Sequence, residues 1–593
     1  MTVRNVKLSL LIKRLTVIWV LVTIITLWSD IHKHLRNWAR SGEKFPELGD
    51  DVRVKDVRVS RCYSWYRSCD AIWDYNMRDE LVTWFRVDRD KRQDTAVGRG
   101  LLWRTYVYWQ PTGPLDASAV VDLAMSHEGL PLGLVNERYN KIRNKDIDGY
   151  HVHSKTKTDY NFFIKTDRKS YEGASGSDLK WSAKFGNHLE EWFWKGDGLW
   201  CKYGPKSQGV KKIKAFIGSD FMESRPMWSE MVHCMPRQGF SKPISFSFLK
   251  STSNSDSGKN HQFPREPHLL VKQNDFKILQ LTDLHFGANA NDAWAGSSSD
   301  YESGQPNSVY RFDSPNVQFV QTAIRNELPD LVVITGHLFK GFNKHLDYET
   351  QILKIVAPII THGIPFVIAW GEDDLANEYK TQILNFIKEL PFCLNKFDPN
   401  NSTNIMLPIL SSVQGRQKRI GTIYAFDTNV TESYNFLKES PVPPESVFNF
   451  AFQHYPLQEY RPKGTFALIG SYEEKGSLDY LPPTIEFRNL LGKKNVKAFS
   501  CGHEHGNDCC ILSDGKQQNL NNNMWLCYGG IAGYDPLYES KTRLFKIDLE
   551  KTDIISWKRT LKDRNRVFDY QYIWTQSPNW YRSFPASLPM LQN

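Results

Sequence analysis

The chain lacks a strong excess of either charge. Its 75 lysines and arginines against 66 aspartates and glutamates leave a net charge of +9 over 593 residues. Nucleic-acid-binding proteins normally concentrate basic residues in a stripe, so this balance argues against a nucleic-acid partner. With 13% aromatic and 24% charged residues, the composition is typical of a folded chain, and the length favours two domains.

Long hydrophobic runs are also missing, with one partial exception. The uncharged stretch from Leu15 to Ser29 follows several basic residues, but it is shorter than the about 17 to 25 residues of a full membrane span. No small residues of the A-x-A kind follow it, as they would at a signal-peptide cleavage site. We interpret residues 1–30 as an uncleaved signal anchor. A cleaved signal peptide is the nearest alternative, and a buried helix of a soluble protein is the third.

The first two alternatives predict a secretory-pathway protein on the luminal or extracellular face, anchored to the membrane through this segment or secreted. Exposed glycosylation sites are then expected. The triplets that fit the acceptor pattern begin at Asn400, Asn401 and Asn429.

Cysteine is scarce and odd in number. Nine cysteines are compatible with an oxidising compartment and leave at least one thiol unpaired within the chain. Cys62 and Cys69 are spaced for a small disulfide loop. Cys509 and Cys510 are adjacent, so one of them is a candidate to pair with Cys527 or Cys501.

Two regions differ in texture. Residues 50–250 contain short aromatic-rich strands such as "LVTWFRVDRD" and "LLWRTYVYWQP" and little helical periodicity, which predicts a β-rich N-terminal domain. The polar segment 251–268, "STSNSDSGKNHQFPREPH", is predicted to be a linker. From residue 270 onward, apolar strands alternate with amphipathic helices, the pattern of an α/β layered domain.

Five of those apolar strands end at metal-ligating residue types. The segments are "FKILQLTDLHFG", "LVVITGHLFKG", "IPFVIAWGEDD", "VFNFAFQHYP" and "NVKAFSCGHEHGND". A twisted sheet gathers strand ends into one crevice, so these side chains are expected to converge. Imidazole and carboxylate groups together suit zinc, iron or manganese, and the set is rich enough for two ions.

In this order, the blocks "TDLHFG", "GHLFKG", "GEDD", "FQHYP" and "CGHEHGNDCC" resemble the signature blocks of the calcineurin-like metallophosphoesterases, and the segments after the last block resemble a fungal branch similar to purple acid phosphatases. The resemblance covers about residues 270–560. It implies an α/β layered metallophosphoesterase sandwich preceded by a smaller β-rich domain, with residues 561–593 as a C-terminal extension.

The resemblance also implies a metal site. By its motifs, Asp283, His285 and His505 are expected to bind one ion, and His454 and His503 a second. The cofactors implied are divalent or trivalent iron, zinc or manganese ions, between zero and two per chain.

Three positions depart from the family pattern. His337 stands where a bridging aspartate belongs, Glu372 stands for an asparagine ligand, and Asp373 stands for the histidine that contacts phosphate. Neutral imidazole offers one lone pair and no charge, whereas a carboxylate offers an oxygen to each ion. Glu372 remains a competent ligand, but an ionised Asp373 at a catalytic position would repel phosphate. His345 and His362, on nearby loops, are candidate replacements for the lost donor.

Two functions follow from these departures. The favoured hypothesis is a phosphoesterase fold with impaired or absent catalysis, acting as a binding or regulatory module. The alternative is an active phosphomonoesterase whose site is rebuilt around His337 and Glu372. In either case the expected partner is a phosphorylated protein or a small phosphoester.

Overall fold

The computed structural model describes most of the chain outside a few segments. The described residues are 13–28, 49, 51–63, 69–75, 81–89, 94–125, 192–196, 199–217, 223–231, 244–251, 268–287, 314–340, 347–375, 379–395, 403–413, 416–441, 446–462, 465–479, 481–513, 524–563, 565–576 and 590–592. They fall into two compact units. The first comprises Met1–Ser219 and Met227–Gly258, and the second Asp220–Pro226 and Lys259–Asn593.

The first unit is built from short strands, as predicted for residues 50–250. Residues 13–28 are helical (α1), and the strands are β1 Val54–Tyr63, β2 Ala71–Tyr75, β3 Leu81–Arg86, β4 Gly98–Arg99, β5 Trp103–Pro111, β6 Ser118–Met125, β7 Trp192–Gly196, β8 Leu199–Pro205, β9 Val210–Ile217, β10 Trp228–Glu230 and β11 Ile244–Lys250. They form three antiparallel sheets: β1-β5-β3-β2 with β4 beside β5, β6-β8-β7, and β10-β11-β9.

Alternating side chains bury one face of these strands. Val57, Val107, Leu123 and Phe246 belong to the main core of the unit. The predicted disulfide between Cys62 and Cys69 is confirmed. It joins the end of β1 to the start of the described segment that leads into β2.

The second unit carries the remaining elements. Its strands are β12 Leu269–Leu270, β13 Asp275–Thr282, β14 Leu331–Thr335, β15 Phe366–Ala369, β16 Ile405–Val413, β17 Arg416–Ala425, β18 Phe448–Phe452, β19 Thr465–Ile469, β20 Val496–Cys501, β21 Cys510–Ser513, β22 Met524–Tyr528, β23 Lys541–Asp548, β24 Asp553–Thr560, β25 Phe568–Thr575 and β26 Met590–Gln592; its helices are α2 Ser314–Glu327, α3 Tyr348–Thr361, α4 Lys380–Lys388, α5 Val430–Glu439 and α6 Ile485–Lys493.

These strands form two packed sheets, so the predicted α/β sandwich is confirmed. The six-stranded sheet has the order β15-β14-β13-β23-β24-β25, and the nine-stranded sheet has the order β12-β16-β17-β18-β20-β22-β21-β19-β26. In the first, β13, β14 and β15 run parallel; in the second, β17, β18, β20 and β22 do. Parallel strands need covering on both faces, which explains why most of their residues are buried.

One apolar core fills the space between the two sheets. Ile278 and Val333 of the six-stranded sheet share it with Phe450 and Ala498 of the nine-stranded sheet. A second core, containing Leu437 of α5 and Phe487 of α6, covers the outer face of the nine-stranded sheet.

A polar clasp crosses the core near the strand ends. The buried Gln280 of β13 donates to Thr335 Oγ1 at 3.0 Å and to the Cys501 carbonyl at 3.3 Å, and accepts from Ser500 Oγ at 2.6 Å. Each buried polar group of the Gln280 side chain is thus satisfied by a partner on another strand. We call Gln280, Thr335, Ser500 and Cys501 the intersheet clasp.

Near the two ends of the chain, the described residues include the helix α1 and the strands β25 and β26. No helix among the described residues is both long and apolar enough to cross a membrane. The other residues of the predicted anchor, 1–12 and 29–30, lie outside the described residues. The linker predicted at 251–268 lies almost wholly outside the described residues. Part of the predicted C-terminal extension belongs to the sheets instead: β25 pairs with β24 and β26 pairs with β19. The sandwich therefore continues beyond residue 560.

Candidate metal centre

The five predicted strand ends meet at one edge of the sandwich. Asp283 and His285 follow β13, His337 follows β14, and Glu372 follows β15 in the six-stranded sheet. From the nine-stranded sheet, His454 follows β18, and His503 and His505 follow β20. The carboxyl ends of parallel strands in both sheets thus supply one cluster, as the sequence pattern predicts.

Several of these residues adopt an unusual backbone conformation. Asp283, His285 and His337 have φ of 51°, and His503 has φ of 73°. Positive φ is uncommon for residues with a side chain and concentrates at functional sites. Gly336 is required for close packing, because a Cβ there would lie 2.5 Å from Cγ of His454.

The first group of candidate ligands surrounds Asp283. Ligand atoms of Asp283, His285, His337 and His505 all lie within 4.8 Å of one another. Asp283 is held by its other oxygen, Oδ2, which accepts from Thr282 Oγ1 at 2.6 Å and from the His503 backbone N–H at 3.0 Å. The remaining oxygen, Oδ1, points toward the imidazoles.

The residues of this group fit a metal ion. Asp283 Oδ1 and His285 Nε2 are buried and have no hydrogen-bond partner among the described residues. Nε2 of His505 lies 3.6 Å and Nδ1 of His337 lies 3.7 Å from Asp283 Oδ1, too far for a good hydrogen bond. Ligands each about 2.0 to 2.2 Å from a zinc ion lie at most about 4.4 Å apart, so these separations suit a shared cation.

His505 is oriented by a carboxylate that the sequence motifs do not include. Its Nδ1 lies 2.9 Å from Oδ2 of Asp535, so Nδ1 donates and Nε2 presents its lone pair to the cluster. Burial alone would lower the pKa of His505, but Asp283 and Asp535 raise it above its usual value. A carboxylate behind a metal-binding imidazole is a common supporting arrangement.

The second group consists of His337, Glu372 and His454. Nε2 of His454 lies 3.1 Å from Oε2 of Glu372, while Nδ1 of His454 donates to the Thr335 carbonyl at 3.1 Å. His337 belongs to both groups of ligands. It therefore occupies the position between them, where the family pattern calls for a bridging aspartate.

Burial and charge act against each other throughout the cluster. Burial would raise the pKa of Asp283, but His454, His505 and His285 hold it well below its usual range. The pKa of His285 is lowered to about 3, chiefly by burial and also by the neighbouring His337 and His505, although Asp283 acts in the opposite direction. A neutral His285 and an ionised Asp283 are the protonation states that bind metals.

In the second group, nearby carboxylates outweigh burial in their effect on the pKa of His454. Burial would lower the pKa of His454, but Asp283, Glu372 and Asp374 together raise it to about 9. Burial would raise the pKa of Glu372, yet His454 and His503 bring it down to about 2. Without a bound cation, Glu372 and His454 form an ion pair.

The remaining predicted residues fall into different places. His503 lies at the edge of the cluster, with Nδ1 3.7 Å from Oε1 of Glu372, but it joins neither group. Asp373, predicted to be catalytic, is exposed and belongs to neither group. The next residue, Asp374, turns inward instead, where it accepts from the backbone N–H groups of Leu338 and Gly371.

The candidate replacement donors are not part of the cluster either. His362 ends α3, with Nδ1 2.8 Å from the Pro358 carbonyl. Because α3 runs back between the parallel strands β14 and β15, His362 lies at the opposite edge of the sheet. His345 lies outside the described residues.

Among the predicted glycosylation sites, Asn400 and Asn401 also lie outside the described residues. Asn429 is exposed and caps α5 by accepting from the Glu432 backbone N–H at 3.2 Å.

A buried network behind the last motif was also missed. The Glu504 carboxylate, between His503 and His505, contacts Arg461 and Tyr528 and accepts from Asn507 Nδ2 at 2.9 Å. Glu504 is therefore anchored away from the cluster, which fixes the histidines on either side of it. The glutamate inside "GHEHGND" was the available signal, since a buried carboxylate must have partners.

The fold and the cluster together define a metallophosphoesterase. The sequence profile described as calcineurin-like phosphoesterase matches residues 276–507. The chain belongs to the calcineurin-like phosphoesterase family.

Its relatives place the chain more closely. It is 60% identical to Protein SIA1 of Kluyveromyces lactis over 97% of this chain and 99% of that protein. It is 30% identical to Phosphatase DCR2 of Saccharomyces cerevisiae over 62% of this chain and 67% of that protein. Probable inactive purple acid phosphatase 29 of Arabidopsis thaliana is 26% identical over 51% of this chain and 87% of that protein.

Among solved structures, the purple acid phosphatase PPD1 of yellow lupin matches 62% of this chain and 70% of its own, with a TM-score of 0.34 and 11% identity.

Proposed function

We propose that this protein is a metal-binding phosphoester-recognition protein of the secretory pathway in which hydrolysis is strongly impaired. The observation that carries the proposal is the position of His337 in both groups of ligands. A neutral imidazole there offers one lone pair, so it serves one ion of a pair and cancels no charge between two. Apart from the shared His337, the first site has three candidate ligands and the second site has two.

The side chains divide the work accordingly. Asp283, His285 and His505 bind the first ion, and Asp535 keeps the His505 ring in the required orientation. When bound, ions at such a centre act as Lewis acids toward phosphate oxygens and lower the pKa of a bound water. Phosphate recognition needs only the Lewis-acid interaction with phosphate oxygens.

Turnover needs a proton donor, and the chain lacks it at the expected position. Asp373 is an exposed carboxylate, which repels an approaching phosphate. His362 is held at the far edge of the sheet, so it cannot take over the role.

An active phosphatase with a rebuilt site is the second candidate. It is favoured by Glu372, whose carboxylate lies 3.1 Å from His454 and 3.7 Å from His503. An ionised Glu372 returns the negative charge that His337 lacks. The relatives support each candidate in turn, since one is named a phosphatase and another a probable inactive purple acid phosphatase.

The proposed partner is a phosphorylated protein or a small phosphoester, met in the secretory pathway. The basic and then apolar N-terminal segment supports membrane anchoring or secretion. Two disulfides, Cys62–Cys69 and Cys510–Cys527, support an oxidising compartment. The exposed Asn429 supports glycosylation, and removal of N-glycans with an endoglycosidase should shift the mass of the secreted or membrane-bound chain.

Metal content is the deciding measurement. The full chain, purified without chelator, is analysed for elemental composition and assayed against phosphopeptides and small phosphomonoesters. One ion per chain, phosphopeptide binding and no turnover are expected. Two ions with turnover would establish the active phosphatase instead, and the absence of any ion would remove both candidates. Asp283→Asn should lose the ion, while the exposed Asp373→Asn serves as the matched control that retains it.

A further inference from the structure

We propose that the hairpin between β4 and β5 is a membrane-contact site that inserts Leu101 and Leu102 into the surface of a phospholipid bilayer. This site belongs to the first unit, and the inference is independent of the metal centre.

The hairpin has an unusual loop. Arg99 pairs with Arg104, and the Gly100 backbone N–H donates to the Trp103 carbonyl at 2.9 Å. Leu101 and Leu102 are thereby left as the two loop residues, with exposures of 93% and 43%. Loops of this length normally carry glycine, asparagine or aspartate. Single exposed apolar residues are common on protein surfaces, but two leucines at a protruding tip replace the residues that the turn itself would favour.

The tip is rigid. The Trp103 indole lies across the turn, since a Cβ at residue 100 would lie 2.1 Å from its ring. The Arg61 guanidinium lies over the Trp103 indole, 4.3 Å from the ring centroid. Arg104 Nη1 also reaches the Gly100 and Trp103 carbonyls at 3.5 Å. The backbone of the turn therefore needs little further ordering when the leucines meet a partner.

The chemistry of the surroundings favours a bilayer over a protein. Arg61 and Arg99 are exposed beside the leucines, and guanidinium groups bind the phosphate that every phospholipid headgroup carries. Tryptophan prefers the boundary between headgroups and acyl chains. A stable protein interface needs about 800 Å² per partner, far more than two leucines supply. Reversible membrane contact needs much less when a second anchor is present, as the N-terminal segment would provide.

The test compares two leucines that lie in the loops at opposite ends of β5. In the full chain, an environment-sensitive fluorophore is attached at Leu101→Cys or, as a control, at Leu115→Cys. Leu115 is 99% exposed in the turn after Pro111, at the opposite end of β5. Both chains share the same N-terminal segment, so tethering by that segment affects them equally. The unsubstituted chain, labelled in parallel, measures the background from native thiols.

Vesicles of phosphatidylcholine, alone or mixed with phosphatidylserine, should shift the emission of the label at 101 to the blue and protect it from iodide quenching, with no change at 115. Adding Leu102→Asp should lower the apparent partition of the tip by roughly tenfold, the value of one buried leucine. Equal responses at both positions, or no response at 101 with either vesicle, would overturn the proposal. Unchanged circular dichroism shows that the variants fold.

Discussion

Replacing His337 with aspartate restores the residue type that the family pattern places between two ions. Nδ1 of histidine and Oδ1 of aspartate are both bonded to Cγ, so the new oxygen comes close to the present Nδ1, which lies 3.7 Å from Asp283 Oδ1. The backbone accepts the change, since φ at residue 337 is 51° and aspartate tolerates this conformation.

The expected cost follows from that distance. Two carboxylates 3.7 Å apart repel by about 4 kcal/mol at an effective dielectric constant of 20. The metal-free variant should therefore lose up to about 4 kcal/mol of unfolding free energy, less whatever a shared proton recovers. Metal binding should reverse the loss, because a ligand at about 1,000 times its dissociation constant stabilises by about 4.1 kcal/mol.

The assay is urea unfolding of the full chain with chelator and with added manganese or zinc, together with elemental analysis. His337→Asn is the matched control, since it has the shape of aspartate without its charge. We expect a second ion and a large metal-dependent gain in stability for aspartate only. If the two variants unfold alike in chelator and bind the same number of ions, residue 337 does not lie between two metal positions, and our assignment of the cluster is wrong.

Three further predictions concern neighbouring features. Asp535→Asn should weaken metal binding by about 10 to 100-fold, because the His505 ring loses the carboxylate that orients it. Chelator competition measures the metal affinity, with Asp373→Asn as the control that should be unaffected. Burial would raise the pKa of Asp508, but Lys558 and Lys541 lower it to about 2. Because the folded-state pKa of Asp508 is lowered, its ionised carboxylate stabilises the fold by about 2 kcal/mol above about pH 4, and this stabilisation is lost as the pH falls toward 2. Acid titration of the unfolding free energy should therefore show a shallower slope in Asp508→Asn. Cys510→Ser opens the disulfide to Cys527, whose sequence separation is 17, and should lower the unfolding free energy by about 3 kcal/mol on the chain-entropy model. A denaturation midpoint equal to that of the unsubstituted chain under non-reducing conditions would contradict this prediction.

The sequence predicted the cluster because strand periodicity and strand direction place residues at a sheet edge without further information. Asp283, His337 and His454 each follow a strand rich in apolar residues, and parallel strands necessarily end on the same side. The pairing of Cys62 with Cys69 was predictable for a similar reason, since their short separation leaves few other geometries.

Turns and long-range contacts were beyond that reasoning. Whether Asp373 or Asp374 faces inward depends on the turn that follows Gly371, which periodicity does not describe. Asp535 reaches His505 across 30 residues from a loop after β22, and no local pattern links them. The strand β25 was missed because its apolar residues do not mark its buried face: Tyr570 and Tyr572 are exposed, whereas Gln571 is buried.

The intersheet clasp links the ligand shell of the candidate metal centre to the packing of the two sheets. Asp283, His285 and His337 belong to one sheet and His505 to the other, so the ligand shell opens when the sheets separate. Gln280, Thr335, Ser500 and Cys501 tie the sheets together directly beneath that shell. Sheet separation in turn exposes the apolar core that defines the folded state. Separating the sheets would therefore dismantle the ligand shell and the core together, so an ion held by residues of both sheets should slow global unfolding of the sandwich.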